Sequence, residues 1–478
     1  MSKQKQRSPD PARLAAAEVL YAVYEQGAFS NLSARSLLDQ KTLDERDRRF
    51  AAALIYNTLQ RTVTIDWLIE KVSHKPLESL DPWVRTVLRM GVWQLYWSHS
   101  VPAHAAIDES VRLVTLRTHQ GAAGYVNAIL RRLDREPIAI PADNGPLQTG
   151  LPPVLYQLLK TGYDPETAEQ LARQSLFAGD TLTARVNKLK TTPDQLRLIL
   201  ESAGVSCQPG RYCEEALLLS THGRIVSALP GFKEGLFSIQ DEAAMLVGFV
   251  ADPQSGWLMI DLCAAPGGKT THLSERTGGQ ANIMAVDVNP KRLNLVSEQS
   301  ERLGLSGITC IQADSRTGLN AEGQPVLSAW EGKADLVLAD VPCSGLGLLA
   351  RKPEIRLHMT AERIEAFIPL QSDLLDQAAA LLKPGGRLVY STCTLNPAEN
   401  EGQRAAFLKR HGHRFFPEPF KDRLPKNLMD PERFPELCEQ ADHGFLQLLP
   451  HRHGTDGFFI ASFIRRASQR SQNEALYL

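Results

Sequence analysis

Two cysteines late in the chain stand in segments built for chemistry: Asp340-Val341-Pro342-Cys343-Ser344-Gly345 and Ser391-Thr392-Cys393-Thr394-Leu395-Asn396-Pro397. Each follows an apolar run, residues 334–339 and 386–390, of the kind that forms a buried strand. Strand ends in an open α/β sheet are where ligands bind. Two thiols there, beside an acid, suit covalent catalysis with an attacking thiol and a helper. The attacking form is the thiolate, a minor species for a free cysteine of pKa ~8.5. Asn396 and Pro397 read as the cap and first turn of a helix running from Ala398 to Lys409. A helix N-terminus near Cys393 would lower the thiol pKa.

A pyrimidine is a substrate that needs such a pair. Carbon 5 of cytosine is a poor nucleophile until a thiolate adds to carbon 6. The ring then behaves as an enamine and can take a methyl group. Loss of the carbon 5 proton expels the thiol. Asp340 is placed to hydrogen-bond or protonate the ring as charge develops, and the second thiol can help break the adduct. Spacing alone does not decide which cysteine attacks. The competing reading is two buried, inert cysteines.

A second motif, Ile260-Asp261-Leu262-Cys263-Ala264-Ala265-Pro266-Gly267-Gly268-Lys269-Thr270, leaves a strand and enters a helix. Its small residues let a ligand approach the backbone, and the helix start behind them suits a polar or anionic group. Asp287 ends the next strand, where an acid can accept from two ribose hydroxyls. These residues describe an adenosine-type cofactor pocket. The dinucleotide pattern GxGxxG is absent, which disfavours a nicotinamide and leaves S-adenosylmethionine (AdoMet). Asp314, after the following strand, either reaches the adenine edge or forms a turn before Ser315.

The elements that must position these residues read as follows. Helices are predicted from Asp10 to Gly27, Asp44 to Leu59, Ile65 to Val72, Asp81 to Trp97, Ala103 to Arg117 and Ala122 to Arg135. Residues 137–152 read as a linker rich in proline. A mixed region follows, with helices from Pro153 to Lys160, Pro165 to Ser175 and Thr192 to Ala203. Strands are predicted from Leu182 to Asn187 and Glu215 to Ser220. From Trp257 strands and helices alternate, which predicts a mostly parallel, doubly wound sheet. Phe445 to Leu449 and Gly457 to Phe463 read as an edge pair closing it. The expected fold class is multidomain, α plus α/β. It comprises a helical domain (1–140), a small α+β domain (141–235) and a catalytic domain (236–478).

The chain has 478 residues and a formal charge of -1, so the whole molecule advertises no polyanion partner. Residues 1–140 hold 19 Lys and Arg against 15 Asp and Glu, a mildly basic balance compatible with nucleic acid. Seven scattered cysteines form no disulfide framework and no zinc spacing, so no metal and a reducing cytoplasm are expected. No apolar run reaches the ~18 residues of a membrane span.

These segments resemble the AdoMet loop and paired cysteine motifs of the NOL/NOP2/Sun family of RNA cytosine-5 methyltransferases, in the arrangement of its bacterial 16S rRNA members. The resemblance extends over most of the chain. Residues 126–132, Val-Asn-Ala-Ile-Leu-Arg-Arg, resemble the NusB-like RNA-binding fold. Arg185-Val186-Asn187 resembles a strand of the family's middle domain, and Ile239-Gln240-Asp241-Glu242-Ala243 its entry to the catalytic domain. The resemblance implies a class I methyltransferase sheet of Rossmann type. It also implies that Cys393 is the nucleophile and that Cys343 promotes product release. Cys263, Ala264, Ala265, Pro266, Gly267, Gly268, Lys269, Asp287, Asp314 and Asp340 would line the AdoMet site. The implied partner is 16S rRNA, free or in early assembly. Two alternatives stay open: a tRNA cytosine-5 methyltransferase, and a non-catalytic RNA-binding or antitermination protein with a degenerate methyltransferase fold. Trp67, Trp83, Trp93, Trp97, Arg131 and Arg132 are candidates for RNA contact, with the tryptophans equally suited to the core. Residues 451–453, His-Arg-His, read as a turn.

Overall fold

A computed structural model describes residues 8–28, 43–177, 181–221 and 224–467. The chain divides into two compact units. The first comprises residues 1–179, with residues 222–225 and 348–359 returning to it.

Its helices span Pro11–Gln26, Glu45–Gln60, Thr62–Val72, Pro82–Trp97, Ala103–Arg117 and Gln120–Arg135. The signals read from sequence act as expected at both ends of the first helix. Asp10 accepts from the Arg13 N–H, Pro11 opens the helix, and Gly27 closes it at a positive φ of 66°. Asp81 caps Pro82–Trp97 through the N–H groups of Trp83 and Val84. Val84, Val87, Leu88 and Val92 of that helix are buried in the unit's core. Trp83 is also buried there and its indole donates to the Leu113 carbonyl at 2.9 Å. Trp93 is buried, and Trp67 and Trp97 pack half-buried on the same core. The tryptophans are therefore core residues. Inside the proline-rich stretch read as a linker, Gly145–Thr149 forms a short helix capped by Asn144. Helices Pro153–Gly162 and Pro165–Gln174 follow within the same unit.

The second unit contains two sheets. The smaller is antiparallel, in the order β2-β3-β1-β4, with β1 Thr181–Val186, β2 Ser206–Pro209, β3 Ala216–Ser220 and β4 Phe237–Ile239. The helix Pro193–Ser202 covers it, opened by a capping box between Thr192 and Gln195. Leu196 and Leu200 pack with Ala184, Val186, Leu217 and Phe237.

The larger sheet has parallel strands β5 Leu258–Asp261, β6 Gln280–Asp287, β7 Ser306–Gln312, β8 Ala334–Asp340 and β9 Leu382–Thr392. Three further strands, β10 Phe415–Pro417, β11 Phe445–Leu448 and β12 Phe458–Arg465, run antiparallel. The order is β10-β12-β9-β8-β5-β6-β7, with β11 also paired to β12. The chain enters at β5, builds outward to β7, then returns to β8 on the other side. The carboxyl ends of β5 and β8 are thus the switch point where such sheets open a crevice. Strand alternation sorts the two faces. Met259, Leu336, Leu338 and Val389 meet the helices Glu242–Ala251 and Gly268–Arg276. Ile260, Val337, Leu388 and Tyr390 meet the helix Ala361–Leu381.

Two sequence expectations change. β12 is an interior strand, not an edge strand, held by β9 on one side and by β10 and β11 on the other. Its run from Phe458 to Phe463, apolar except for Ser462 and buried throughout, is the pattern of a strand covered on both faces. The helix after Cys393 runs from Glu401 to His411, so Asn396 and Pro397 open a turn rather than that helix. The 451–453 stretch lies in a single helical turn, Pro450–His453, where His453 Nδ1 accepts from the Leu449 N–H at 2.8 Å.

Candidate active site

β5 runs directly into the glycine loop. Gly267 adopts a φ of 105°, and a Cβ there would stand 3.1 Å from the Val296 Cα, so the position demands glycine. Ala264 donates to the Val286 carbonyl at 2.9 Å, which fastens the loop beside β6. Pro266 is exposed and joined to Ala265 by a cis peptide. Gly268 begins the helix Gly268–Arg276.

A cleft of about 500 Å³ opens over the carboxyl ends of the strands. It brings together Cys263, Ala265, Asp287, Asp314, Asp340, Cys343 and Cys393 of the predicted site. Ala264, Pro266, Gly267, Gly268 and Lys269 do not line it. The first four shape the loop behind it, and Lys269 reaches it through Asp340. Asp287 ends β6, is buried, and accepts from the Asn289 N–H at 2.9 Å. Its other oxygen lies 3.9 Å from Arg292. Asp314 is clasped by Arg316 at 2.6 Å, which holds its carboxyl below the usual range.

Asp340 ends β8 opposite Ser391 of β9. One carboxylate oxygen accepts from Ser391 Oγ at 2.7 Å and the other from Lys269 Nζ at 2.6 Å. Burial pulls the Lys269 ammonium down, but the ion pair with Asp340 outweighs it and the net shift is upward. Asp261, fully buried one residue before the cleft wall, accepts from Thr270 Oγ1 at 2.6 Å. Its Oδ1 has no partner, and burial lifts the carboxyl to about 7.

The two thiols face one another with their sulfurs 3.4 Å apart. Neither is in a disulfide. The hydrogen bond with Cys393 and burial push the Cys343 thiol well above its ordinary value. Either sulfur can donate in this contact. Burial and the surrounding carboxylates do the same to Cys263, making it a small inert wall residue rather than a third nucleophile.

Several residues that hold the site were not singled out from sequence. Glu399 is fully buried beside the cysteine loops and accepts from Ser344 N–H at 2.9 Å and Asn396 Nδ2 at 2.9 Å. Gln371 Nε2 donates to Glu399 at 2.9 Å and to the Pro342 carbonyl at 3.0 Å. Gly347 N–H donates to the Cys393 carbonyl at 3.0 Å, tying the two loops through backbone. Arg185 of β1 is buried, donates to the Gly268 carbonyl at 2.7 Å and forks onto Glu275 at 2.7 and 3.0 Å. The available signal was the acid placed three residues after Asn396. Its partner loop lies more than fifty residues upstream, so local pattern could not supply the contact.

Among the described residues no group of three or more His, Cys, Asp or Glu is arranged to hold a metal ion. No described helix is long and apolar enough to cross a membrane.

Comparison with known proteins covers most of the chain. Residues 249–464 match the family described as 16S rRNA methyltransferase RsmB/F, residues 10–135 the NusB family, and residues 151–226 the RsmF/B-like ferredoxin-like domain. The probable ribosomal RNA small subunit methyltransferase B of Bacillus subtilis (strain 168) is 32% identical, over 94% of this chain and 98% of its own. Ribosomal RNA small subunit methyltransferase B of Pseudomonas syringae pv. tomato is 35% identical, over 96% of this chain and 97% of its own. The crystal structure of PH0851 superposes with a TM-score of 0.81 at 27% identity, covering 96% of this chain and all of that one. The NusB-like helical domain, the ferredoxin-like linker and the doubly wound catalytic sheet are thus matched both in sequence and in fold, and the chain belongs to the RsmB/F family of 16S rRNA methyltransferases.

Proposed function

We propose that this protein transfers a methyl group from AdoMet to carbon 5 of a specific cytosine in 16S rRNA, through a covalent bond between Cys393 and carbon 6. The observation that carries this reading is the pair of thiols 3.4 Å apart, in no disulfide, in the same cleft as Cys263 and Ala265 of the glycine loop and Asp287.

The residues present fit AdoMet. The cleft has the volume of a nucleoside site. Asp287 keeps lone pairs for a ribose diol, and the partnerless Asp261 Oδ1 lies at the root of the loop. Cys263 and Ala265 form the wall, Ala264, Pro266, Gly267 and Gly268 shape the loop behind it, Lys269 acts through Asp340, and Asp314 also lines the cleft. When bound, AdoMet supplies an electrophilic methyl group.

The chain's own residues do the rest. The Cys393 thiolate forms the bond to carbon 6 while the ring's π electrons move onto N3, which takes a proton relayed from the Lys269 ammonium through Asp340. Lys269 holds Asp340 in place. After methylation solvent water takes the carbon 5 proton. The electrons of that C–H bond restore the ring double bond and expel Cys393 as thiolate. Cys343, protonated and in contact, stabilises the departing sulfur by its S–H.

We assign recognition of the RNA to the basic N-terminal region and propose domain limits of 1–140, 141–235 and 236–478. The matched relatives' names support rRNA over tRNA. The cytoplasm is the proposed compartment. Incubating the protein with labelled AdoMet and purified 16S rRNA, 23S rRNA or tRNA tests the proposal. Label appearing as 5-methylcytosine in 16S rRNA is expected. Label in tRNA alone, or on another base, refutes it.

A further inference from the structure

Glu399 is the least expected group near the reaction centre. It is a fully buried carboxylate with no cationic partner among the described residues, satisfied by four donors: Ser344 N–H, Ser344 Oγ, Gln371 Nε2 and Asn396 Nδ2. An uncompensated buried charge is costly, so a fold keeps one only where every lone pair is engaged. Here the donors come from three segments: the Cys343 loop, the Cys393 loop and the helix Ala361–Leu381. The Glu399 carbonyl also accepts from Tyr390 Oη at 2.6 Å, which fixes the residue to β9.

We propose that Glu399 is a positioning residue that holds both thiols in one geometry and makes them chemically unequal. This rests on the two-thiol reading of the site. The inequality follows from where its bonds fall. Two of the four donors belong to Ser344, which adjoins Cys343, and a third, Gln371, also grips Pro342 on the other side of that cysteine. Only Asn396 belongs to the Cys393 loop. Behind the hydrogen bond with Cys393 and burial, the carboxylate's charge adds to what opposes ionisation of Cys343. Cys393 lies on the side of the Lys269 ammonium, which senses its charge. With the carboxylate tied to the Cys343 loop by three of its four bonds, the proton is held on Cys343 and Cys393 attacks. Neither local sequence nor spacing makes this distinction.

The test is Glu399→Gln in the full chain, which keeps the shape and removes the charge. Without RNA or AdoMet, brief iodoacetamide treatment and peptide mapping give each thiol's alkylation rate. In the wild type Cys393 is expected to react at least about tenfold faster than Cys343, a tenfold ratio being one pKa unit of thiolate. In Glu399→Gln the ratio should collapse to about threefold or less, and kcat on RNA should fall about tenfold or more. AdoMet affinity and the KM for RNA should stay within about twofold, which separates positioning from general loss of structure. A wild-type alkylation ratio, or wild-type kcat, in Glu399→Gln overturns the proposal. If that variant does not fold, Ser344→Ala and Asn396→Ala, each removing one donor, must both lower kcat at native AdoMet affinity, and wild-type turnover in both overturns it. Turnover surviving in Cys393→Ala would instead remove the two-thiol reading itself.

Discussion

Arg185 offers the sharpest energetic prediction. Its guanidinium is fully buried and forks onto Glu275, itself almost fully buried. It also binds the Gly268 carbonyl at 2.7 Å, Thr271 Oγ1 at 3.1 Å and the Gln240 side chain. It joins β1 and β4's following residue to the first turn of the helix that carries the glycine loop. Replacing it by Met fills much of the space but strands the Glu275 carboxylate, which burial already pushes toward its protonated form. Breaking a buried pair from one side costs about 3–5 kcal/mol. Replacing both partners removes the stranded charge, so Arg185→Met with Glu275→Leu should recover most of the loss. The Gly268 carbonyl loses its guanidinium donor in both, so AdoMet should bind more weakly in both. Urea titration followed by tryptophan fluorescence, with AdoMet calorimetry alongside, reads the two effects separately. A loss below about 1 kcal/mol in the single variant, or a double variant no better than the single, refutes this reasoning.

Two further outcomes follow from the cleft. Asp287→Ala should weaken AdoMet by about 1–3 kcal/mol, the size of lost charged hydrogen bonds, and unchanged affinity in calorimetry would place the ribose elsewhere. Asp261 binds its proton more tightly folded, at about 7, than at its ordinary 3.8. Its contribution to stability is therefore greatest at low pH and is lost as pH rises from about 4 to about 7. Asp261→Asn should flatten that fall relative to wild type in melting profiles across the window, and a parallel pair of profiles would contradict it.

Much of this site was legible because its chemistry is local. The glycine loop, Asp287 and Asp340 each sit at the end of an apolar run, and strand ends of one parallel sheet necessarily gather on one edge. The cysteine pairing followed for the same reason, since Asp340 and Ser391 are register partners on adjacent strands. What stayed hidden is long-range. Glu399 and Gln371 lie on a turn and a mid-helix position, and only tertiary packing brings them to Ser344 and Pro342. The same contact explains the misplaced helix start after Cys393. Asn396 has cap chemistry, but its Nδ2 is committed to Glu399 and its Oδ1 to Ala398 N–H, so it stabilises a turn. β12 was read with β11 as an edge pair closing the sheet, and the two strands do pair. The apolar run of β12 without alternation was the signal for an interior strand.

The central claim is the identity of the sulfur that bonds the base. Cys343→Ala protein, given 16S rRNA and AdoMet, denatured and digested with protease and nuclease, should yield a nucleotide-linked peptide. Tandem mass spectrometry should place the methylated cytosine on Cys393. Finding no linked peptide, or finding the cytosine on any other residue, would contradict the account.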